Sequence, residues 1–132
     1  KTCLLLRYHT RKYPEGYIPS MMDCAQSSIS VFSKLINLGL WDVPISAWDL
    51  DARLRQLFYI DASVFIICFG IDRPDSLTNV AEVWEPDVRG RAKEMNAPIM
   101  LVGCKKDVRA DPEEQEEMKS YGVTEPVSVE QV

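Results

Sequence analysis

Val64-Phe65-Ile66-Ile67-Cys68-Phe69, closed by Gly70, and Ile99-Met100-Leu101-Val102, entered from Pro98 and closed by Gly103, are two continuous apolar runs. Runs like these suit strands buried on both faces of a parallel sheet. Between them, Asp75-Ser76 ahead of Leu77, Val80, Ala81 and Val83 reads as a capped helix with an apolar stripe, which Pro86 is expected to bend or interrupt. Strand, helix, strand is a βαβ unit. Upstream, Ile29-Ser30-Val31-Phe32, a turn at Ser33-Lys34 and residues 35–41 predict a hairpin whose second strand runs onto Asp42. Further helices are expected over 2–8, 52–59 and 112–121, giving the order α, β, β, α, β, α, β, α. With no internal repeat, low-complexity segment or linker, the 132 residues are expected to form one domain.

Composition narrows the class. The chain is 46% hydrophobic and 27% charged, values of an ordinary globular protein and not of collagen, a coiled coil or a disordered chain. Fifteen Lys+Arg against 20 Asp+Glu give a net charge of -5, and no basic run is present to track a phosphate backbone. Nucleic acid is therefore not expected as a partner. Cys3, Cys24, Cys68 and Cys104 lie far apart, which argues against both a CxxC metal pair and a dense disulfide scaffold, and for a reducing, intracellular compartment. No apolar stretch approaches the roughly 18 residues of a membrane span, and Cys3-Leu4-Leu5-Leu6 is too short for the apolar region of a signal peptide. The chain begins without Met, inside what reads as a helix, and stops at Val132 without a lipidation motif, so a fragment is expected.

Ligands of open parallel sheets bind beyond the carboxyl ends of the strands. Three features fall there: Lys1-Thr2 opening the first helix, Asp42 ending a strand, and Gly103-Cys104-Lys105-Lys106-Asp107 following another. Singly they read as a helix start, a cap or solvated turn, and a charged loop. Taken in this order, with Tyr17-Ile18-Pro19-Ser20, Asn37-Leu38-Gly39-Leu40-Trp41-Asp42, Asp75-Ser76-Leu77-Thr78-Asn79-Val80 and Leu101-Val102-Gly103-Cys104-Lys105-Lys106-Asp107-Val108-Arg109, the chain resembles the Ras superfamily of small GTPases. The flanking text is similar to the Rho family in particular, over essentially the whole chain.

The resemblance implies an α/β fold of the P-loop NTPase type: a three-layer sandwich with a mostly parallel sheet, one antiparallel hairpin strand, and first and last strands outside the fragment. It implies a single, partial small-GTPase G domain over 1–132 with the Rho-type insert around 111–121. It further implies that GTP or GDP and Mg²⁺ are the cofactors. Lys1 matches the phosphate-loop lysine, Thr2 the hydroxyl that binds Mg²⁺, and Asp42 the strand-end carboxylate that holds the same ion. Tyr13 falls where an aromatic lies against guanine, and Ser20 where a switch I hydroxyl completes the Mg²⁺ shell. Asp107 matches the carboxylate that accepts from guanine's edge N–H groups, and Lys105 the side chain that packs along the ring. Effectors, exchange factors and GTPase-activating proteins would bind through switch segments 11–20 and 43–50. Membrane attachment would require a lipidated C-terminus beyond Val132, and the expected location is cytoplasmic or peripheral on the cytoplasmic face of a membrane.

Departures from the family pattern are specific. Where the family follows its strand-end Asp with Thr-Ala-Gly-Gln-Glu, this chain has Val43-Pro44-Ile45-Ser46-Ala47-Trp48-Asp49, with neither Gly nor Gln from 43 to 52. No catalytic residue is therefore assigned, and slow hydrolysis is expected. Cys104 replaces the Asn or Thr that braces the base loop, and Cys24-Ala25 stand where Asn-Tyr is usual in the effector strand. The alternative reading is a pseudo-GTPase, an interaction domain without a nucleotide cycle. A remnant that does not fold alone is a third reading. A flavodoxin-like domain is disfavoured, because neither the hairpin nor the Lys-Asp loop belongs there. His9 is expected at the surface, Trp48 and Trp84 in packing, and Glu113, Glu114, Glu116 and Glu117 on a solvated face.

Overall fold

A computed structural model describes residues 1–16, 24–43 and 57–132. The chain divides into two compact units, Lys1–Phe58 and Tyr59–Val132. In the first, helix α1 (Thr2–Thr10) precedes strands β1 (Cys24–Val31) and β2 (Lys34–Trp41), which pair antiparallel with Val31 opposite Lys34 and Cys24 opposite Trp41. α1 ends in the left-handed conformation of Arg11, whose N–H returns to the Arg7 carbonyl. Among the described residues of this unit, Asp42 is the sole buried residue.

The hairpin turn differs from its expected position by one residue. Phe32 (φ 47°) and Ser33 (φ 64°) are its two central residues, both left-handed. A two-residue loop must adopt such angles to follow the strand twist, and the geometry overrides the poor fit of a bulky aromatic to it. Phe32 is 97% exposed, so its replacement loses no packing. Phe32→Asn with Ser33→Gly is therefore expected to stabilise the hairpin by about 1 kcal/mol. Hydrogen exchange of the β1 and β2 amides checks this: slower exchange is expected, and unchanged or faster exchange refutes it.

The second unit holds the apolar core. Strand β3 (Phe65–Gly70) pairs in parallel with β4 (Ile99–Cys104), Phe65 beside Ile99 and Gly70 beside Cys104. The connection is helical: α2 (Pro74–Asn79), a π-helical turn (Val80–Trp84) and α3 (Glu85–Met95). Pro86 does not end this helix. Having no N–H, proline leaves one carbonyl of the preceding turn without a donor, and the wider turn, in which the Glu85 N–H reaches Val80, absorbs the mismatch. Phe65, Ile67 and Phe69 are buried, together with Val80, Val88 and Ala92 of the helical connection.

The expectation of strands buried on both faces is corrected. Burial alternates along β3, and Ile66 and its register neighbour Met100 are 49% and 54% exposed. The helical connection crosses one face of the pair, and Ile66 and Met100 lie on the opposite face. After β4, a 3-10 turn (Lys106–Arg109) sinks Val108 to 1% exposure. Helix α4 (Pro112–Ser120) follows, capped by the Asp111 side chain, which accepts from the Glu113 N–H at 3.0 Å. Met118 is its buried residue, while Glu113, Glu114, Glu116 and Glu117 are exposed as expected, as is His9 in α1. The helix expected over 52–59 and the Trp48 packing reading fall mostly or wholly outside the described residues.

Candidate functional site

In the first unit, β2 ends at Trp41 and delivers Asp42 against the start of α1. The Thr2 hydroxyl donates to Asp42 Oδ2, and the Lys1 ammonium donates to the Val43 carbonyl. Lys1 Nζ also lies 3.9 Å from Asp42 Oδ1. Asp42 is only 5% exposed, and its Oδ1 accepts no hydrogen bond among the described residues. Lys1 and Thr2 are thus brought together with Asp42, 40 residues beyond Thr2 in sequence. A buried carboxylate oxygen without a donor is costly and marks a place where a cation is wanted.

The donor set fits Mg²⁺. One carboxylate and one hydroxyl are hard oxygen ligands, and Mg²⁺ characteristically takes few protein groups and fills its shell with water and phosphate oxygens. Among the described residues no group of three or more His, Cys, Asp or Glu forms a cage for a metal. Ser20, the third expected metal ligand, lies outside the described residues, and so do residues 44–52 of the divergent segment. Tyr13 is exposed in the non-helical segment after α1.

In the second unit, β4 runs into Lys105, which takes the left-handed conformation (φ 62°, ψ 42°) and caps the 3-10 turn. This turn redirects the chain, so Lys105 and Asp107 sit at the carboxyl end of β4 on a loop pinned by Val108. Asp107 is exposed and has no ion-pair or hydrogen-bond partner for its carboxylate among the described residues. Its carbonyl accepts from the Ala110 and Asp111 N–H groups at 2.8 and 3.0 Å, which fixes the backbone behind it. Lys105 Nζ donates to Asp72 Oδ2 at 2.6 Å. That hydrogen bond, opposed by partial burial and assisted by the charges of Asp72, Glu114 and Glu117, raises the Lys105 pKa above its usual value. Cys104 makes one long contact, Sγ to the Val102 carbonyl at 4.0 Å, as a weak thiol donor would.

The sequence reading missed Asp72. Its signal was the strand register, since pairing Gly70 with Cys104 sets the residues just beyond each strand side by side.

A Ras family model matches residues 1–131. The chain belongs to the Ras family. This Ras-family chain is 42% identical over 128 residues to a protein of Kluyveromyces lactis called GTP-binding protein Rho1, covering 97% of the chain and 59% of that relative. It is 41% identical over 128 residues to GTP-binding protein RHO1 of Eremothecium gossypii, again covering 97% of the chain and 59% of the relative. The chain therefore spans about three-fifths of the length of these Rho-type relatives. The parallel pair, the antiparallel hairpin and the helical crossover are the α/β elements that a Ras-family GTPase fold requires. Among the described residues of this Ras-family chain, no helix is long and apolar enough to cross a membrane.

Proposed function

We propose that this chain belongs to a guanine-nucleotide-binding switch of the Rho type and acts in signal transduction. Lys1 serves as a point cation for the phosphates, Thr2 and Asp42 hold Mg²⁺ together with Ser20, and Tyr13, Lys105 and Asp107 bind guanine. When bound, the ion would neutralise phosphate charge and tie the nucleotide to Asp42 and Thr2. Asp107 would select guanine by accepting from its two edge N–H groups, which adenine does not present in that arrangement. The chain would act as one G domain, with α4 as the family's insert and segments 11–20 and 43–50 contacting effectors and regulators. The proposed location is cytoplasmic, or peripheral on the cytoplasmic face of a membrane.

The observation that carries this reading is Asp42, buried with Oδ1 accepting no hydrogen bond among the described residues, with a hydroxyl and an ammonium from the start of α1 beside it. The complete gene product, purified and denatured, is expected to release GDP or GTP on chromatography, and that nucleotide is expected to exchange when EDTA removes Mg²⁺. Protein without exchangeable nucleotide would refute the switch and favour the second reading, a pseudo-GTPase interaction domain. The second reading is supported by residues 43–52, which contain neither Gly nor Gln, and by the weak bonding of Cys104.

A further inference from the structure

Asp72 lies just past β3 and is held beside Lys105 by the backbone, because the Ile71 N–H donates to the Cys104 carbonyl at 3.1 Å and carries the ladder one step beyond the strands. The Val127 N–H donates in turn to the Ile71 carbonyl at 2.8 Å, and Arg109 Nη2 to the Val127 carbonyl at 2.7 Å. This framework leaves the Asp72 side chain 14% exposed, against 59% for Lys105. Asp72 Oδ2 receives the ammonium, while Oδ1 is buried without a hydrogen bond among the described residues. A carboxylate so placed needs its cation, and the cation loses its rotational freedom in return. Gly70 makes the arrangement possible: a Cβ there would stand 2.4 Å from Asp72 Oδ1.

We propose that Asp72 is a positioning residue for guanine binding, acting through Lys105: it fixes the ammonium so that the aliphatic stem of Lys105 is presented, already ordered, to the face of a planar base. The inference rests on the functional reading above. A long side chain immobilised before the ligand arrives spares the ordering cost that binding would otherwise carry. Asp72 itself touches no base, and its whole effect passes through the Lys105 side chain.

The test is a double-mutant cycle on the complete gene product in Mg²⁺ buffer, read as the dissociation constant of N-methylanthraniloyl-GDP. Asp72→Asn is expected to weaken binding about fivefold. Lys105→Met is expected to weaken it more, and the double variant to match Lys105→Met, since Asp72 has nothing left to position. A purely structural role would instead multiply the two single effects. Gly70→Ala gives the same test with every charge retained, by displacing the carboxylate, and is expected to show the same dependence on Lys105. Unchanged or tighter binding in Asp72→Asn, or multiplied effects in the double variant, overturns the proposal. Wild-type protein that fails to bind the probe overturns the functional reading and this proposal with it, so the two failures are distinguishable.

Discussion

Single-turnover GTP cleavage by the complete gene product is expected to run on the order of a hundredfold or more below that of a Ras-family member with Gly and Gln after its strand-end Asp. Cleavage needs a water oriented in line and donors aimed at charge growing on the transferred phosphoryl group. Residues 43–52 supply neither an amide side chain for the first task nor a glycine N–H for the second, and Pro44 has no N–H at all. Losing one preorganised donor typically costs a hundredfold or more, so both losses together place the intrinsic rate near background. The check is the rate of phosphate release from preloaded GTP after Mg²⁺ addition. Release at an ordinary family rate would show that another group orients the water.

The second large effect concerns Asp42. Asp42→Asn is expected to reduce nucleotide retention in Mg²⁺ by about a hundredfold and to abolish the response to EDTA. Groups that merely support a metal ligand are worth about 10- to 100-fold in affinity, so a carboxylate proposed to meet the ion itself belongs at the top of that range or above. Stability should move the other way. Asp42 is a buried carboxylate whose Oδ1 accepts no hydrogen bond among the described residues and has only the Lys1 ammonium, 3.9 Å away, as counter-charge, and an amide keeps an acceptor for the Thr2 hydroxyl while removing the buried charge. A variant melting at or above the wild-type temperature, yet unable to retain nucleotide, is the expected pair of results. Retention equal to wild type would show that Asp42 is structural.

The parts legible in the sequence are those set by local pattern. Two apolar runs around an amphipathic stretch predicted the βαβ unit, although Asp75 and Ser76 lie inside α2 and Arg73, with no side-chain cap, precedes it. The acidic stretch after Asp111 predicted α4, but not that Met118 is the residue it buries. Lys1, Thr2 and Asp42 were legible as a group through the family resemblance, and the structure brings them together. What remained hidden depends on which surfaces meet. Ile66 and Met100 have the same apolar character as Ile67, and composition cannot separate the residues that face the helical connection from those on the opposite side of the strand pair. Pro86 signals a break, but how the break is absorbed depends on helix packing, and here a π turn answers it. Asp72 carries no motif, and its role emerges only from the parallel register that sets it beside Lys105.

Among the described residues, every buried apolar side chain belongs to Tyr59–Val132, whereas Asp42 is what Lys1–Phe58 buries. Substitutions in the two stretches should therefore have different cellular consequences. Loss of Val108, Met118 or Phe69 would lower the amount of protein that survives quality control, leaving each surviving molecule competent. Changes at Lys1, Thr2 or Asp42 would leave abundance intact and silence the molecules that remain. Abundance would then be a trait of Tyr59–Val132, whereas substitutions in Lys1–Phe58 would bear on the proposed activity alone.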